Sequence, residues 1–335
     1  MSATRSHRAG SNHRVAGWVG AAILAFMLLV CLGSLPFTLS SAGADATGHT
    51  LPPRYRAGDL NAYLLPPSWA SMRPDEHSRH TSIGAPAHLL GTDKLGNDLL
   101  IRCLTGGGVS IGIGLAAAAI SVVIGTLYGA LAGAAGGRVD ALMMRIVDVL
   151  YGLPYVLIVV LLAVAGDALI DRYTARGGDL DGSTRTVIEI GILLVAIGGV
   201  SWLTMARVIR GQVLSLRAQP FMEAARALGV PWPRKFVKHL LPNLVGPIIV
   251  YATLTVPQAI LQESFLSFLG IGVRPPMPSW GNLAADGLTE LNPVRVRWWL
   301  IVFPCLLLGI TLLSLNFVGE WMRERLDPRQ ADRAG

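Results

Sequence analysis

Charge is scarce in this chain. Only 15% of its 335 residues are Asp, Glu, Lys or Arg, where soluble domains carry about 25%. Lysine is down to three residues, Lys94, Lys235 and Lys238. None of them follows a glycine, so no G-x-x-x-x-G-K-[ST] phosphate loop can be written, and ATP hydrolysis by a P-loop of this chain is excluded. Cysteine is as sparse: Cys31, Cys103 and Cys305 are far apart and odd in number, offering neither a disulfide framework nor a metal-ligand spacing. No zincin His-Glu-x-x-His occurs, and no nucleophile elbow is expected, which leaves an intramembrane enzyme without its chemistry. Aromatic residues make up 7% of the chain and interleave with no basic stripe outside the loops that flank the apolar runs. The excess of 28 Lys and Arg over 21 Asp and Glu is therefore not a nucleic-acid surface.

Apolar residues fill the space that charge leaves, at 52% of the chain. Long uncharged runs alternate with basic clusters, and a helix needs about 20 mostly apolar residues to cross a bilayer. Spans are expected near 15–35, 108–135, 148–166, 187–206, 240–262 and 298–319. The fold class that follows is all-α, a polytopic membrane protein of six helices, with both termini on one side. Segments 1–14, 136–147, 207–239 and 320–335 hold 16 basic residues in 75 positions, against six in 55 for segments 167–186 and 263–297. By the excess of Lys and Arg, the first set and both termini are cytoplasmic. Arg5, Arg8 and Arg14 before the first span, and Ala44-Asp45-Ala46 after it, resemble a secretory signal. The apolar run between them exceeds the core of a signal peptide, so the span is expected to be retained.

Within the second span Ser121, Gly125, Gly129 and Gly133 recur every four residues along one helix face. Small residues there allow two backbones to approach closely, a packing device and not a chemistry. The cytoplasmic loop 207–239 carries seven basic residues and reads as two short helices joined by a turn. Pro220 opens the first, Glu223 complements its dipole, Gly229 closes it, and Trp232, Phe236, Val237 and Leu240 follow at roughly helical spacing. A helical hairpin held beside the membrane suits a groove on another protein; it also suits a lipid surface.

Glu223-Ala224-Ala225, Gly229, and Leu241-Pro242-Asn243 after a basic stretch together resemble the cytoplasmic "EAA" loop of the membrane subunits of ABC importers. The likeness extends to Leu65-Pro66-Pro67-Ser68-Trp69, Gly91 to Asp98, Gly136-Gly137-Arg138-Val139-Asp140 with Arg145 and Asp148, Arg207 with Arg210-Gly211, Glu263 to Gly270, Pro278-Ser279-Trp280-Gly281, and Asn316 with Leu326-Asp327-Pro328-Arg329. From the first span nearly to its end, the chain resembles the C-type permease of dipeptide/oligopeptide importers and their nickel and glutathione relatives. It departs at Asn97, where the family usually has Arg, at Phe221-Met222, where an aromatic-Val pair is common, and in the longer segments 45–90 and 167–186.

That resemblance implies a type I ABC importer permease fold in the bacterial inner membrane, with no cofactor of its own and ATP bound by partners. It implies an N-terminal piece (1–35), an extracytoplasmic segment (36–107), a five-helix core (108–320) and a cytoplasmic tail (321–335). The implied partners are a homologous B-type permease, two cytoplasmic ABC ATPases, an extracytoplasmic solute-binding protein and membrane lipid. Glu223 becomes a polar anchor on the ATPase, Ala224 and Ala225 close-contact positions, Gly229 the turn, and Leu241-Pro242-Asn243 the junction that moves the fifth span. Arg207 and Arg210 fix the inner end of span four, or alternatively hold lipid phosphates. Glu263, Ser267 and Gly270 are candidates for the gate or pathway, since intramembrane carboxylates are expensive. Asp148, Glu189 and Glu263 lie at or beside span ends, and for all three capping or inter-helix pairing is favoured over substrate binding. His77, His80 and His88, with Asp75 and Glu76, are read as a solvated loop and not a metal site. Trp280 and Trp298-Trp299 suit an interfacial belt. A membrane scaffold that binds a cytoplasmic protein without transport is the competing class.

Overall fold

The computed structural model describes residues 3–43, 50–83, 88–178, 181–292 and 295–326. The signal-like Ala44-Asp45-Ala46, Pro86, and Asp327-Pro328-Arg329 with the rest of the tail lie outside them, and the side chains of Arg5, Arg8 and Arg14 are likewise not described. Among the described residues five helices are long and apolar enough to cross a membrane: Val15–Thr38 within α1 (Ala3–Thr38), α3 (Leu99–Ala135), Thr184–Arg217 within α6 (Gly182–Arg217), Trp232–Phe268, and Trp299–Arg325 within α11 (Trp299–Leu326). A sixth crossing is counted only if α4 (Gly137–Tyr151) and α5 (Tyr155–Ala175), bent by 84°, act as one span.

That bend corrects the straight span expected at 148–166. Gly152-Leu153-Pro154 interrupts it, because Pro154 has no N–H to give and disfavours helical backbone at Leu153. Two more boundaries move. α3 begins at Leu99 and not near 108, since the Asp98 carboxylate accepts from the backbone N–H groups of Leu100 (2.8 Å) and Ile101 (3.2 Å), a helix N-cap that the hydropathy pattern does not reveal. Segment 167–186 is mostly helix, formed by the end of α5 and the start of α6.

α3 is the axis of the bundle. At 37 residues it is about 55 Å long, well beyond the roughly 30 Å of hydrocarbon. The glycine face expected from the sequence lies against α6. A Cβ added at Gly125 would stand 2.5 Å from that of Met205, at Gly129 2.3 Å from the Ala206 carbonyl oxygen, and at Gly133 2.9 Å from the Val213 Cβ. Ser121, one step earlier, is fully buried. α1 crosses α11 in the same manner, with Gly17 against Trp321 and Gly20 against Phe317. Elsewhere large apolar side chains such as Phe26, Leu29, Leu161 and Val195 face outward, as lipid-facing positions do.

Residues 50–83 and 88–98 fold over one end of the bundle through two 3-10 turns (Arg54–Arg56, Leu60–Ala62) and the short helix α2 (Pro74–Ile83). At the same end α10 (Trp280–Thr289) re-enters the bundle, its start fixed by a reciprocal Ser279–Asn282 capping box, and a two-residue hairpin follows (Leu291–Asn292 with Arg295–Val296). The short helices α7 (Pro220–Ala227) and α8 (Trp232–Lys235) occupy the opposite end.

Substituting Gly129 by Val would force its new methyl groups into the Ala206 backbone, and overpacking of this kind costs about 1–3 kcal/mol. The Gly129→Val protein is expected to unfold at a lower temperature in detergent, measured by scanning fluorimetry. Gly112→Val, at a position with open space beside it, is expected to behave as the parent.

Candidate coupling site and buried polar groups

The loop between α6 and α9 (Leu241–Phe268) is shaped by two local rules. Pro220 occupies the first turn of α7, where its missing N–H costs nothing. Gly229 adopts φ +69°, and the Val230 N–H returns to the Ala225 carbonyl (3.1 Å), the left-handed close that glycine permits. Met222 and Ala225 point inward, while Glu223, Ala224 and Leu228 face out, Leu228 at 82% exposure. Ala225 is thus a packing residue within this chain, a correction to its expected place on the contact surface. Met222 packs in one cluster with Ala130, Met205, Ile209, Val213, Leu240 and Leu244, which seats α7 on the ends of α3, α6 and α9.

No separate second helix exists. α8 runs through a π-helical turn (Phe236–Leu240) straight into α9. The Leu241 N–H reaches back to the Phe236 carbonyl, and Pro242, which has no N–H, follows. The Asn243 side-chain amide donates to the His239 carbonyl at 2.6 Å, replacing part of the ladder that the proline and the wide turn disturb. Leu241-Pro242-Asn243 is therefore a rigid continuation of the hairpin's return limb. Trp232 stacks on Phe236 (ring centroids 5.3 Å apart), Leu240 is buried, and Val237 faces out, so the four do not share one face.

Three arginines of α6 hold the neighbouring helix ends. Arg210 grips Asp140 of α4 with two bonds, 2.7 and 2.6 Å, the bidentate geometry that a planar guanidinium favours. Arg207 reaches Asp148 at 2.9 Å and lies 4.1 Å from the Tyr151 ring centroid. Arg217, which the sequence reading passed over, donates to the carbonyls of Gly133 (2.5 Å) and Ala134 (2.8 Å), satisfying orphan acceptors at the end of α3. Arg207 and Arg210 thus have protein partners, and lipid phosphate is not needed to account for them. Glu189 pairs along its own helix with Arg185 (3.0 Å).

Glu263 has no exposure and no basic partner among the described residues. Its carboxylate accepts from the Ser267 hydroxyl (2.7 Å) and the Ser264 hydroxyl (3.2 Å), and the side chains of Ser110 and Ser279 stand close by. Ser267 Oγ in turn accepts from the Val273 N–H at 2.9 Å. These bonds tie α9 to the turn before α10, where Gly270 takes φ +79°, and the Trp280 N–H donates to Ser110 Oγ of α3 (3.3 Å). Glu263 and Ser267 are thus buried within the bundle. The string Gly108-Val109-Ser110-Ile111-Gly112 has the spacing of a nucleophile elbow, against expectation, but it lies mid-helix in α3 with Ser110 buried. An elbow needs a strand-to-helix turn.

At the other end Asp93 organises the Gly91 to Asp98 turn. It accepts from the backbone of Leu95 and Asn97 (2.8 and 2.9 Å), from the Asn97 amide (2.9 Å) and from Arg102. Asn97, at the family's usual Arg position, serves as a neutral donor to that carboxylate. His77 and His80 stand on α2, a helix and not the loop expected there, and His88 Nδ1 lies 2.9 Å from Asp98 Oδ2. Arg295 donates to Glu76 (2.6 Å) and Asp75 (3.1 Å). The Glu76 bond foremost holds its guanidinium above the ordinary arginine range. No group of three or more metal-ligating side chains is present among the described residues. The sequence reading also passed over Gln258 and Gln262, two carboxamides one turn apart in an otherwise apolar span. Their polarity at membrane depth was the available signal.

Residues 125–332 match the family described as binding-protein-dependent transport system inner membrane component. The chain belongs to this family. It is a permease subunit, non-catalytic, and a multi-pass inner-membrane component of an ABC transporter complex. It is 43% identical over 263 residues (78% of this chain, 77% of the relative) to the oligopeptide transport system permease protein OppC of Escherichia coli (strain K12). It is 41% identical over 242 residues (72% and 69%) to the dipeptide transport system permease protein DppC of Bacillus subtilis (strain 168). Its fold is like that of a chain in the inward-facing MetNI methionine ABC transporter, with a TM-score of 0.51, 15% identity, and coverage of 68% of this chain and 98% of that one.

The Arg210–Asp140 pair of this permease is the tightest link between α4 and α6. Asp140→Ala and Arg210→Ala are each expected to lower the thermal midpoint in detergent. A double-mutant cycle should return a coupling of about 0.5–3 kcal/mol, and strict additivity would show that the pair does not couple the helices.

Proposed function

We propose that this permease forms half of the pathway of a peptide importer and is driven by partner ATPases through the α7 hairpin. The solute class rests on relatives named for oligopeptide and dipeptide transport. The partners in this reading are a homologous B-type permease, two cytoplasmic ABC ATPases and an extracytoplasmic solute-binding protein. The termini and the hairpin lie in the cytoplasm, as the placement of Lys and Arg favours, and residues 50–83 and 88–98 face the binding protein.

The observation that carries the coupling role is the shape of the hairpin. Its outer surface offers Glu223, Ala224 and the exposed Leu228, while its inner surface, through Met222, Ala225 and Leu240, is packed into the ends of three helices. A force applied outside is delivered to the bundle because packed interiors transmit displacement with little compression. Glu223 anchors a basic group of the ATPase, Ala224 permits close approach, Gly229 sets the turn, and Leu241-Pro242-Asn243 carries motion into α9. Arg207 and Arg210 make α4 follow α6. Gly270 is the hinge of the outer gate, and the Glu263–Ser267 cage holds that gate's frame.

Reconstitution of the whole complex in liposomes tests the reading. With Glu223→Ala, or with Gly229→Pro, which the φ of +69° forbids, ATP hydrolysis should lose its response to the loaded binding protein, and uptake should fall by about tenfold or more. The complex should still assemble. Uptake at the parent rate in both variants would refute the coupling role, and an assembled complex with no solute uptake at all would favour the scaffold reading.

A further inference from the structure

We infer that a cavity between α5, α6 and α9 is this chain's share of the solute pathway, and that it holds the neutral amide groups of a peptide backbone through Gln258 and Gln262. The inference deepens the transport reading above and rests on it.

The cavity, about 370 Å³, is lined by Tyr151, Tyr155, Ser201, Thr204, Gln258 and Gln262 together with aliphatic side chains. That volume lies within the roughly 300–1,000 Å³ of small-molecule sites. The 84° break between α4 and α5 shapes one wall, since Leu150, Tyr151, Leu153 and Tyr155 all come from the residues around it. α9 supplies another, where Gln258 and Gln262 stand one turn apart on the same face. Gln262 and Glu263 are neighbours in sequence but about 100° apart around the helix. α9 thus turns its carboxylate into the serine cage and its carboxamides into the cavity.

Hydrogen bonding sets what the cavity can take. The Tyr155 hydroxyl donates to Gln262 Oε1 at 2.9 Å, and Ser201 Oγ, which donates to the Ile197 carbonyl (2.8 Å), lies 3.4 Å from the same oxygen. Gln262 is thereby held by its oxygen, leaving its amide N–H groups without a partner among the described residues. Gln258 is exposed in the cavity wall and has no bond to another described residue. A primary carboxamide both donates and accepts, matching the paired N–H and C=O of a peptide unit, the part that every peptide shares whatever its side chains. No lining residue carries a charge. A charged lining would grip oppositely charged side chains strongly in a low dielectric, whereas a conducting site must bind weakly enough to release. Neutral polar groups in a membrane-spanning bundle are also costly to keep without a use.

The test uses the assembled transporter in native membranes, with single cysteines introduced on a background lacking the three native ones. Gln258→Cys and Gln262→Cys should react with a membrane-impermeant, water-soluble maleimide in at least one nucleotide state, while Leu261→Cys, which faces outward between them, should not. This readout needs no cognate solute, so it stands even if the solute class is misjudged. Trialanine uptake then tests the ligand: Gln258→Leu with Gln262→Leu should lower uptake about tenfold through two lost hydrogen bonds, with binding-protein affinity unchanged. Restoring a donor and acceptor with Asn at both positions should recover most of it. Labelling of both cysteines no greater than at Leu261→Cys would overturn the pathway assignment. Labelling together with parent-level trialanine uptake in the leucine variant would overturn the backbone-recognition part. A parent complex that labels as expected but takes up no peptide would instead point to failure of the peptide reading.

Discussion

Everything in this molecule is arranged around the approach of two helix backbones. Along α3 and α6 the space where side chains would stand is filled by the facing helix itself, so that a single added methyl at Gly129 would lie 2.3 Å from a carbonyl oxygen. Lipid gives apolar side chains no reason to prefer each other, and contact of this closeness is what helices in a bilayer can gain by associating. Because the approach extends along three successive turns of glycine, α3 and α6 have little freedom to slide. That rigidity allows Arg210 and Arg207 to hold α4, Arg217 to close the end of α3, and Met222 to lock α7 onto the same ends. The lever role proposed for the hairpin rests on that stiffness.

The two polar sites within the bundle divide the labour of α9. On one side Glu263 is buried among serines and takes hydrogen bonds from Ser264 and Ser267, a polar cluster that rigidifies the frame around α10. On the other side the carboxamides face open space and keep donors to spare. A satisfied network fixes structure, and an unsatisfied one is available to a ligand. The same contrast separates the two ends of the molecule, where the Asp93 cluster stabilises a turn and the hairpin leaves Glu223 and Leu228 outward.

Much of this was legible in the residues. The spacing of Gly125, Gly129 and Gly133 announced a close contact, and Pro220, Glu223 and Gly229 announced the helix and turn that α7 forms. What hydropathy could not show was local. Asp98 starts α3 nine residues before the apolar run, because an N-cap depends on one carboxylate and not on an average. Pro154 breaks a run that is apolar throughout. The return limb of the hairpin joins α9 without a break, since Pro242 is absorbed by a π turn and the Asn243 amide. Glu263 attracted attention as a carboxylate at the end of an apolar run, yet the open cavity belonged to its neutral neighbour, because which way a helical residue points is settled by packing. Ala225 turned inward for the same reason.

The central claim is that the hairpin and the ends of α3, α4 and α6 move as one body when the motor acts. Spin labels at Val237, on the exposed return limb, and at Leu142, on the exposed face of α4, report on it directly in the assembled transporter by pulsed dipolar spectroscopy. Rigid coupling predicts the same distance distribution in the nucleotide-free and ATP-bound states, while a second label pair across the cavity, at Leu153 and Gln258, changes between them. A shift in the Val237–Leu142 distance with no change across the cavity would contradict the account.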